Sequence, residues 1–136
     1  MELYGRTATD AIRQVVKKGS RMYEIREFEV GPRPKGLRKR SDKQCFINSF
    51  RVALNEDDVA YVEGLALSRV EDDFWIHHAW NVDKDGNAFD ITWKDPGPRY
   101  VGMVIDDVFS RAGADYFESM LGEKELDEIR EFLGKC

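Results

Sequence analysis

The chain has 136 residues, of which 42% are hydrophobic and 12% aromatic, and its formal net charge at pH 7 is -5. This length favours one hydrophobic core, so we expect a single compact domain over residues 1–136. No apolar run is long enough to cross a bilayer and no apolar leader opens the chain, so we expect a soluble, cytoplasmic protein. The two cysteines, Cys45 and Cys136, are far apart in sequence, which argues against a disulfide framework.

The first third of the chain predicts a helix, a strand and a loop. Thr7 to Asp10 resembles a capping box, and the apolar residues of 11–16 fall on one helical face before Gly19 ends the helix. Residues 21–30 alternate imperfectly between apolar and polar, which indicates a strand with a bulge or twist. The proline- and glycine-rich segment that follows is predicted to be a loop.

This loop, residues 31–40, carries five positive charges and no negative ones, and we call it the basic loop. Three interpretations are open: a solvated surface loop, a nucleic-acid contact, or a segment beside an active site that attracts an acidic substrate. In the third case it would also favour a thiolate at Cys45. The acidic balance of the chain and the lack of a recognisable nucleic-acid module make nucleic acid the less favoured partner.

A better-specified helix follows the basic loop. Ser41 and Gln44 have the spacing of a capping box, in which the serine caps the helix and the glutamine reaches back to it. Cys45 then lies in the first turn, ahead of an apolar stripe that begins with Phe46 and Phe50. The helix N-terminus carries a partial positive charge, so we expect it to lower the pKa of the Cys45 thiol.

The rest of the chain predicts a sheet and two helices. Residues 59–67 are apolar on both alternating faces, which is typical of a central strand, and further strands are predicted at 74–82, 88–93 and 100–105. Helices are predicted around 116–121 and 123–133. Together these elements predict an α+β domain in which the helix that begins near Cys45 packs on an antiparallel sheet.

The turn between the strands at 74–82 and 88–93 decides which histidine meets Asp90. A two-residue turn at Asp85 and Gly86 would place Asp90 on the same face as His77. A three-residue loop over 84–86, with Gly86 left-handed, would instead make Asp90 a diagonal neighbour of His78. We favour the second because the left-handed position of that loop requires glycine. Thiol, imidazole and carboxylate then follow one another as Cys45, His78 and Asp90.

These residues resemble the core of the transglutaminase-like, papain-like cysteine enzymes. The resemblance covers about residues 44–93: Cys45 opening a helix, a strand containing Gly64, then His78-Ala-Trp80 and Asp90-Ile-Thr92. In size the chain is similar to small microbial and phage versions of that core. The resemblance implies a papain-like core over about residues 41–105, with Cys45 as nucleophile, His78 as general base and acid, and Asp90 as the orienting carboxylate.

Three further residues are candidates for contacts with a substrate. Gln44 and Asn48 are candidate donors to an oxyanion, and Trp80 would flank the site. The spacing of the acidic, histidine and cysteine residues fits neither a calcium loop nor a zinc site, and no glycine-rich phosphate loop is present, so no metal or cofactor is expected.

Two functional hypotheses follow from the sequence. The first is a cysteine hydrolase or acyltransferase that acts on a protein, peptide or small amide through a thioester. The second is a non-catalytic binding or regulatory protein that uses the basic loop or the acidic C-terminal helix.

Overall fold

The computed structural model describes residues 14–18, 21–68, 74–106, 108–111 and 119–134, and they form an α+β fold. Seven strands and three helices are present in these segments. The strands are β1 (Gln14–Lys18), β2 (Arg21–Phe28), β3 (Val30–Gly31), β4 (Val59–Leu67), β5 (Trp75–Asp83), β6 (Ala88–Phe89) and β7 (Arg99–Val104). The helices are α1 (Cys45–Asn55), the four-residue α2 (Val108–Arg111) and α3 (Glu123–Gly134).

The strands form one sheet in the order β1-β2-β7-β4-β5-β6-β3. Every pairing is antiparallel except that of β3 with β6, where Val30 pairs with Ala88 and Gly31 with Phe89. The sheet is therefore mixed, and the prediction of a wholly antiparallel sheet is wrong at this edge. Only Glu29 separates β3 from β2, so the sheet curls until β6 lies next to the end of β2, and the chain pairs with β6 there before it enters the basic loop.

The first predicted helix is wrong where the structure describes it. Residues 14–18 form a strand, β1, that pairs with β2 from Gln14–Ile25 to Lys18–Arg21. Its two adjacent valines, Val15 and Val16, fit a helical stripe in sequence, but β-branched residues also favour strands, and pairing with β2 decides the outcome. The capping box at 7–10 lies outside the described residues, as does most of the helix predicted at 116–121. Residues 119–121 are not helical.

The two faces of the sheet bury different sets of side chains. One face packs against α1 and α3 through a cluster that includes Tyr61, Leu65 and Met103. The opposite face carries Trp80 and Tyr100, both fully buried. Because successive side chains in a strand point to opposite faces, His78 shares the face of Trp80, and His77 shares that of Ala79. The two adjacent histidines are thus separated by the sheet itself.

Two glycines allow the backbones of the central strands β4 and β7 to approach closely. Gly64 pairs with Gly102 across β4 and β7, and a Cβ atom on Gly64 would collide with the backbone carbonyl of Val101. A Cβ atom on Gly102 would lie 2.8 Å from Cη2 of Trp80. The glycine pair therefore leaves the space that the indole of Trp80 fills, and it brings the backbones of β4 and β7 close together.

None of the helices in the described segments is both long enough and apolar enough to cross a membrane.

Candidate active site

The hairpin between β5 and β6 has the three-residue loop that the sequence predicts. Asn81 pairs with Phe89 and Val82 with Ala88, and the loop between Asp83 and Asn87 ends on Gly86 with φ +89°. Asp83 Oδ1 accepts hydrogen bonds of 2.9 Å from the backbone N–H groups of Asp85 and Asn87, which fixes the turn. This register carries Asp90 toward His78 rather than toward His77.

His78 and Asp90 are joined by a buried hydrogen bond. Nε2 of His78 lies 2.8 Å from Oδ2 of Asp90, and the side chains are 2% and 0% exposed. Since the carboxylate can only accept, Nε2–H is the donor. In the neutral ring this tautomer leaves Nδ1 as the nitrogen that can take up a proton, which is how an acidic residue orients a general base.

Residues other than His78 also stabilise the carboxylate of Asp90. Tyr100 donates a hydrogen bond of 2.5 Å to Oδ2, and the backbone N–H groups of Thr92 and Trp93 donate to Oδ1 at 2.9 and 3.0 Å. Burial alone would raise the pKa of Asp90, but the hydrogen bond and charge of His78, with the hydrogen bonds from Tyr100 and Trp93, outweigh it and hold the pKa below its ordinary value.

The ring of His78 is also fixed by stacking. The ring centroids of His78 and Trp93 are 4.0 Å apart with an interplanar angle of 22°. Trp93 is half-buried and covers His78 from the side of the chain that follows Asp90. Trp93 and Tyr100 were not predicted as site residues, although the Asp90 to Trp93 turn is local and a carboxylate that accepts from nearby backbone N–H groups is a recognisable signal.

Cys45 is the first residue of α1, but the capping box predicted for it is wrong. The N-cap is Gln44, whose side chain makes no capping hydrogen bond, and the helix begins three residues later than the Ser41 cap requires. The reason is local: Lys43 has φ +64°, which no helix accommodates, and the carboxylate of Asp42 bonds Lys39 at 2.7 Å. Cys45 still lies at the helix N-terminus.

The expected depression of the thiol pKa is also wrong. Burial raises the pKa of Cys45 to about 11, and the negative charges of Asp90 and Glu63 add to that increase. Backbone hydrogen bonds with Ala79 and Phe46 act in the opposite direction but do not outweigh them. At neutral pH roughly one molecule in ten thousand carries the thiolate. A reaction at Cys45 therefore needs a base that removes the proton as the sulfur attacks.

The position of Ala79 relates Cys45 to the histidine pair. On one side β5 pairs with β4 throughout, and on the other side its pairing with β6, within the described residues, ends at Asn81 and Phe89. The Cys45 thiol makes a backbone hydrogen bond with Ala79, the residue that follows His78, and packs in the cluster on the face that α1 covers. Among the hydrogen bonds of the described residues, none joins Cys45 to His78. The structure thus brings His78 and Asp90 into contact and sets Cys45 beside the backbone next to them.

A second histidine–carboxylate pair lies on the opposite face of β5. Nε2 of His77 is 2.7 Å from Oε2 of the fully buried Glu63, and the hydroxyl of Tyr61 donates to Oε1 at 2.7 Å. His77 also packs edge-on against Phe46, the residue after Cys45, with ring centroids 4.8 Å apart. This pair was not predicted; its signal in the sequence is a charged residue, Glu63, inside the apolar strand 59–67.

Glu63 also anchors the segment before α3. Oε1 accepts the backbone N–H of Met120 at 2.8 Å, Oε2 accepts that of Leu121 at 3.0 Å, and the Ser119 hydroxyl donates to Oε2 as well. We call residues 119–121 the strap. Burial would raise the pKa of Glu63, but its hydrogen bonds, those from His77 and Ser119 first, hold it below the ordinary value.

The three predicted substrate-contact residues have different outcomes. Trp80 flanks His78 from within the core: its ring stacks beside that of His78 at 6.3 Å between centroids and packs against Phe28 at 5.7 Å, and it is fully buried, so it has no exposed surface for a substrate. Asn48 uses both amide hydrogens, on Ser41 O at 2.8 Å and Thr92 Oγ1 at 3.1 Å, so it fixes neighbouring segments instead of offering a free donor. Gln44 is exposed beside Cys45 and remains a candidate donor.

The basic loop runs alongside the segment that follows Asp90. The backbone N–H of Arg40 donates to Ile91 O at 2.7 Å, and Nη1 of Arg33 donates to Trp93 O at 3.3 Å. Leu37 packs into a small cluster with Phe89 and Ile91. The basic loop therefore lies beside the candidate site, but the thiolate that the third interpretation expects at Cys45 is wrong, because the pKa of the thiol is raised.

We found no match to this chain among protein-family models, curated proteins or solved structures. Among the described residues, no group of three or more histidine, cysteine, aspartate or glutamate side chains is arranged to hold a metal ion.

Proposed function

We propose that this chain is a cysteine-dependent hydrolase or acyltransferase with a papain-like core, in which Cys45, His78 and Asp90 act together. The observation that carries the proposal is the buried hydrogen bond between His78 Nε2 and Asp90 Oδ2, beside a thiol at the N-terminus of α1. A carboxylate on one ring nitrogen leaves the other as a base, which a thiol with a raised pKa requires.

The proposed reaction begins with attack of Cys45 Sγ on the carbonyl carbon of an amide or ester. As the carbon–sulfur bond forms, the thiol proton passes to Nδ1 of His78, and the carbonyl oxygen takes up the electron pair as an oxyanion. Collapse of this intermediate expels the amine or alcohol, which receives the proton from His78, and leaves a thioester on Cys45. Water or an amine then releases the acyl group by the reverse sequence.

The start of α1 supplies donors for the oxyanion. The first intrahelical hydrogen bond is that of Asn48 N–H with Gln44 O, so the N–H groups of Cys45, Phe46 and Ile47 have no partner within the helix. The Phe46 N–H is directed at the Cys45 sulfur. The N–H of Cys45 and the exposed amide of Gln44 remain to stabilise the developing negative charge.

Acylation by p-nitrophenyl acetate tests this proposal without knowledge of the natural substrate. In a Cys136→Ser background we expect release of p-nitrophenol together with an acetyl group on Cys45, detected by peptide mass spectrometry. Cys45→Ala should abolish the adduct, and His78→Ala should slow acylation by about 10²–10⁴-fold. Full acylation in His78→Ala would refute the proposal.

His77→Ala is the matched control for that experiment. His77 lies on the face that α1 covers. Like His78, it bonds a buried carboxylate through Nε2, so chemistry alone does not show which of the two histidines is the base. The proposal predicts that His77→Ala changes the acylation rate by less than about threefold, because its ring is separated from Asp90 by the sheet. Loss of acylation in His77→Ala with retention in His78→Ala would transfer the role of base to His77.

A second candidate function is a non-catalytic binding protein that uses the basic loop. The observation in its favour is the closed state of the site: Cys45 is 9% exposed and the pKa of its thiol is raised to about 11. This alternative predicts that reversing the charges of Arg38, Lys39 and Arg40 abolishes function in the cell while Cys45→Ala does not. The opposite result would exclude it in favour of the enzyme.

A further inference from the structure

The basic loop and the segment after Trp93 enclose a groove whose charges are all positive. The groove has a volume of about 490 Å³ and its charged lining residues are Arg33, Lys35 and Lys94. Within the described part of the chain, no carboxylate forms an ion pair with any of these three residues. Asp95, the neighbour of Lys94, is exposed and is not part of the lining. In a chain of net charge -5, this concentration of unpaired positive charge is a local exception.

The groove is held in shape by contacts at both ends of the basic loop. Its first residue, Gly31, is paired with Phe89 in the sheet, and its last, Arg40, bonds Ile91 O at 2.7 Å. Between them a turn closes with the hydrogen bond from Leu37 N to Pro34 O, 3.1 Å, and Leu37 packs into the apolar cluster below. A loop fixed in this way loses little conformational entropy when a ligand binds, which favours affinity.

The groove lies one residue from the candidate catalytic group. Lys94 follows Trp93, whose ring stacks on His78 at 4.0 Å, and Arg33 bonds the carbonyl oxygen of Trp93. The distance from the groove to His78 is therefore about the width of one tryptophan residue, roughly 10 Å, which an extended peptide covers in about three residues.

We infer that this groove binds an acidic segment of a peptide substrate, with a carboxylate near Lys35 and Lys94. This inference rests on the proposed function for the substrate role, but the binding itself does not require catalysis. A nucleic acid is less suited to the groove, because no aromatic side chain lines it for base stacking and the net charge repels a long polyanion.

The inference is tested by the binding of a fluorescein-labelled hexaglutamate peptide, followed by fluorescence anisotropy at low salt in the Cys45→Ala variant. Lys35→Glu/Lys94→Glu should weaken binding of the peptide by at least about tenfold. Added salt should weaken binding of the peptide to the Cys45→Ala protein in which both lysines are intact. Lys84→Glu/Lys124→Glu carries the same change in net charge at exposed positions outside the groove. Its affinity for the peptide should be within about twofold of that of the Cys45→Ala protein with all lysines intact.

Each outcome of this experiment decides one question. Equal weakening by both double variants would overturn the groove as a site, because the effect would then come from net charge alone. Tighter binding of a labelled dT12 oligonucleotide than of hexaglutamate, lost in Lys35→Glu/Lys94→Glu, would overturn the peptide assignment and identify a nucleic-acid site. Failure of the catalytic proposal appears separately, as unchanged acylation in His78→Ala, and leaves the binding result intact.

Discussion

The hydroxyl of Tyr100 lies 2.5 Å from Oδ2 of Asp90, the same oxygen that faces His78. This contact crosses from β7, near the centre of the sheet, to the end of β6. Asp90 therefore accepts side-chain hydrogen bonds from two residues distant in sequence, and its position depends on the assembled sheet as well as on the local hairpin. In the proposed function, this support holds the ring of His78 at a fixed angle.

Tyr100→Phe tests the value of this contact. The change removes one donor to a buried carboxylate and leaves the ring in place, so we expect a loss of about 1–3 kcal/mol in the free energy of unfolding at pH 7, measured with urea. Tyr61→Phe makes the same change at Glu63 and should cost a similar amount. Only Tyr100→Phe should also slow acylation of Cys45. Equal effects of both variants on acylation would argue against a specific role for Asp90.

Acid should destabilise the fold through Asp90 and Glu63. In the folded chain the pKa of each is held below its ordinary value, which is 3.8 for Asp90 and 4.5 for Glu63. Each therefore stabilises the fold fully above its ordinary value, and this stabilisation is lost as the pH falls through the folded pKa. Urea unfolding between pH 6 and pH 2 should show the loss. In Asp90→Asn it should be smaller, whereas Asp127→Asn, at an exposed site on α3, should match the unchanged protein.

The part of the site that the sequence predicts is the part built by local structure. The loop over 84–86 is decided by the glycine that its left-handed position requires, and the register set by this loop carries Asp90 toward His78. Tyr100 could not be assigned in this way, because its contact with Asp90 depends on the order of strands in the sheet, which no local pattern specifies.

The two errors at Cys45 have different origins. The capping pattern at Ser41 and Gln44 competes with other local structure: Asn48 binds the Ser41 carbonyl, and Lys43 adopts a left-handed conformation. The raised pKa of the thiol follows from burial of Cys45 and from the carboxylates of Asp90, after β6, and Glu63, on β4. The helix N-terminus was visible in the sequence, but the charges and the burial that outweigh it were not.

The raised pKa of Cys45 predicts slow alkylation at neutral pH. In a Cys136→Ser background the rate of reaction with iodoacetamide should increase with pH and show its midpoint near 11, as the thiol has a pKa of about 11 in the folded chain. In urea the midpoint should return to about 9.0, the ordinary value. Because the folded pKa is the higher one, the fold should also lose stability as the pH rises from 9 toward 11. A rate plateau at neutral pH would instead indicate a preformed thiolate.

The close approach of β4 and β7 predicts that Gly64 cannot be replaced. Gly64→Ala places a Cβ atom against the backbone of Val101 and Gly102, which cannot move without separating the two central strands. We expect Gly64→Ala to unfold the chain or to lower its melting temperature sharply, measured by circular dichroism. Gly31→Ala is the matched control, since no atom lies within 4 Å of its Cβ position, and it should fold normally.

The strap predicts a large effect of Glu63→Gln. The substitution replaces a buried carboxylate, which accepts hydrogen bonds from His77, Tyr61 and the strap, with an amide that offers one acceptor and two donors. Donors then face donors, and we expect a loss of about 3 kcal/mol or more in the free energy of unfolding. Limited proteolysis should detect increased cleavage near residues 119–121, because the strap loses its anchor.

Glu27→Gln is the control, because it breaks only a half-exposed ion pair with Arg99. It should lower the free energy of unfolding by less than about 1 kcal/mol and leave the strap protected from proteolysis. Equal proteolysis of the two variants would show that the strap is held by the packing of Leu121 and not by Glu63.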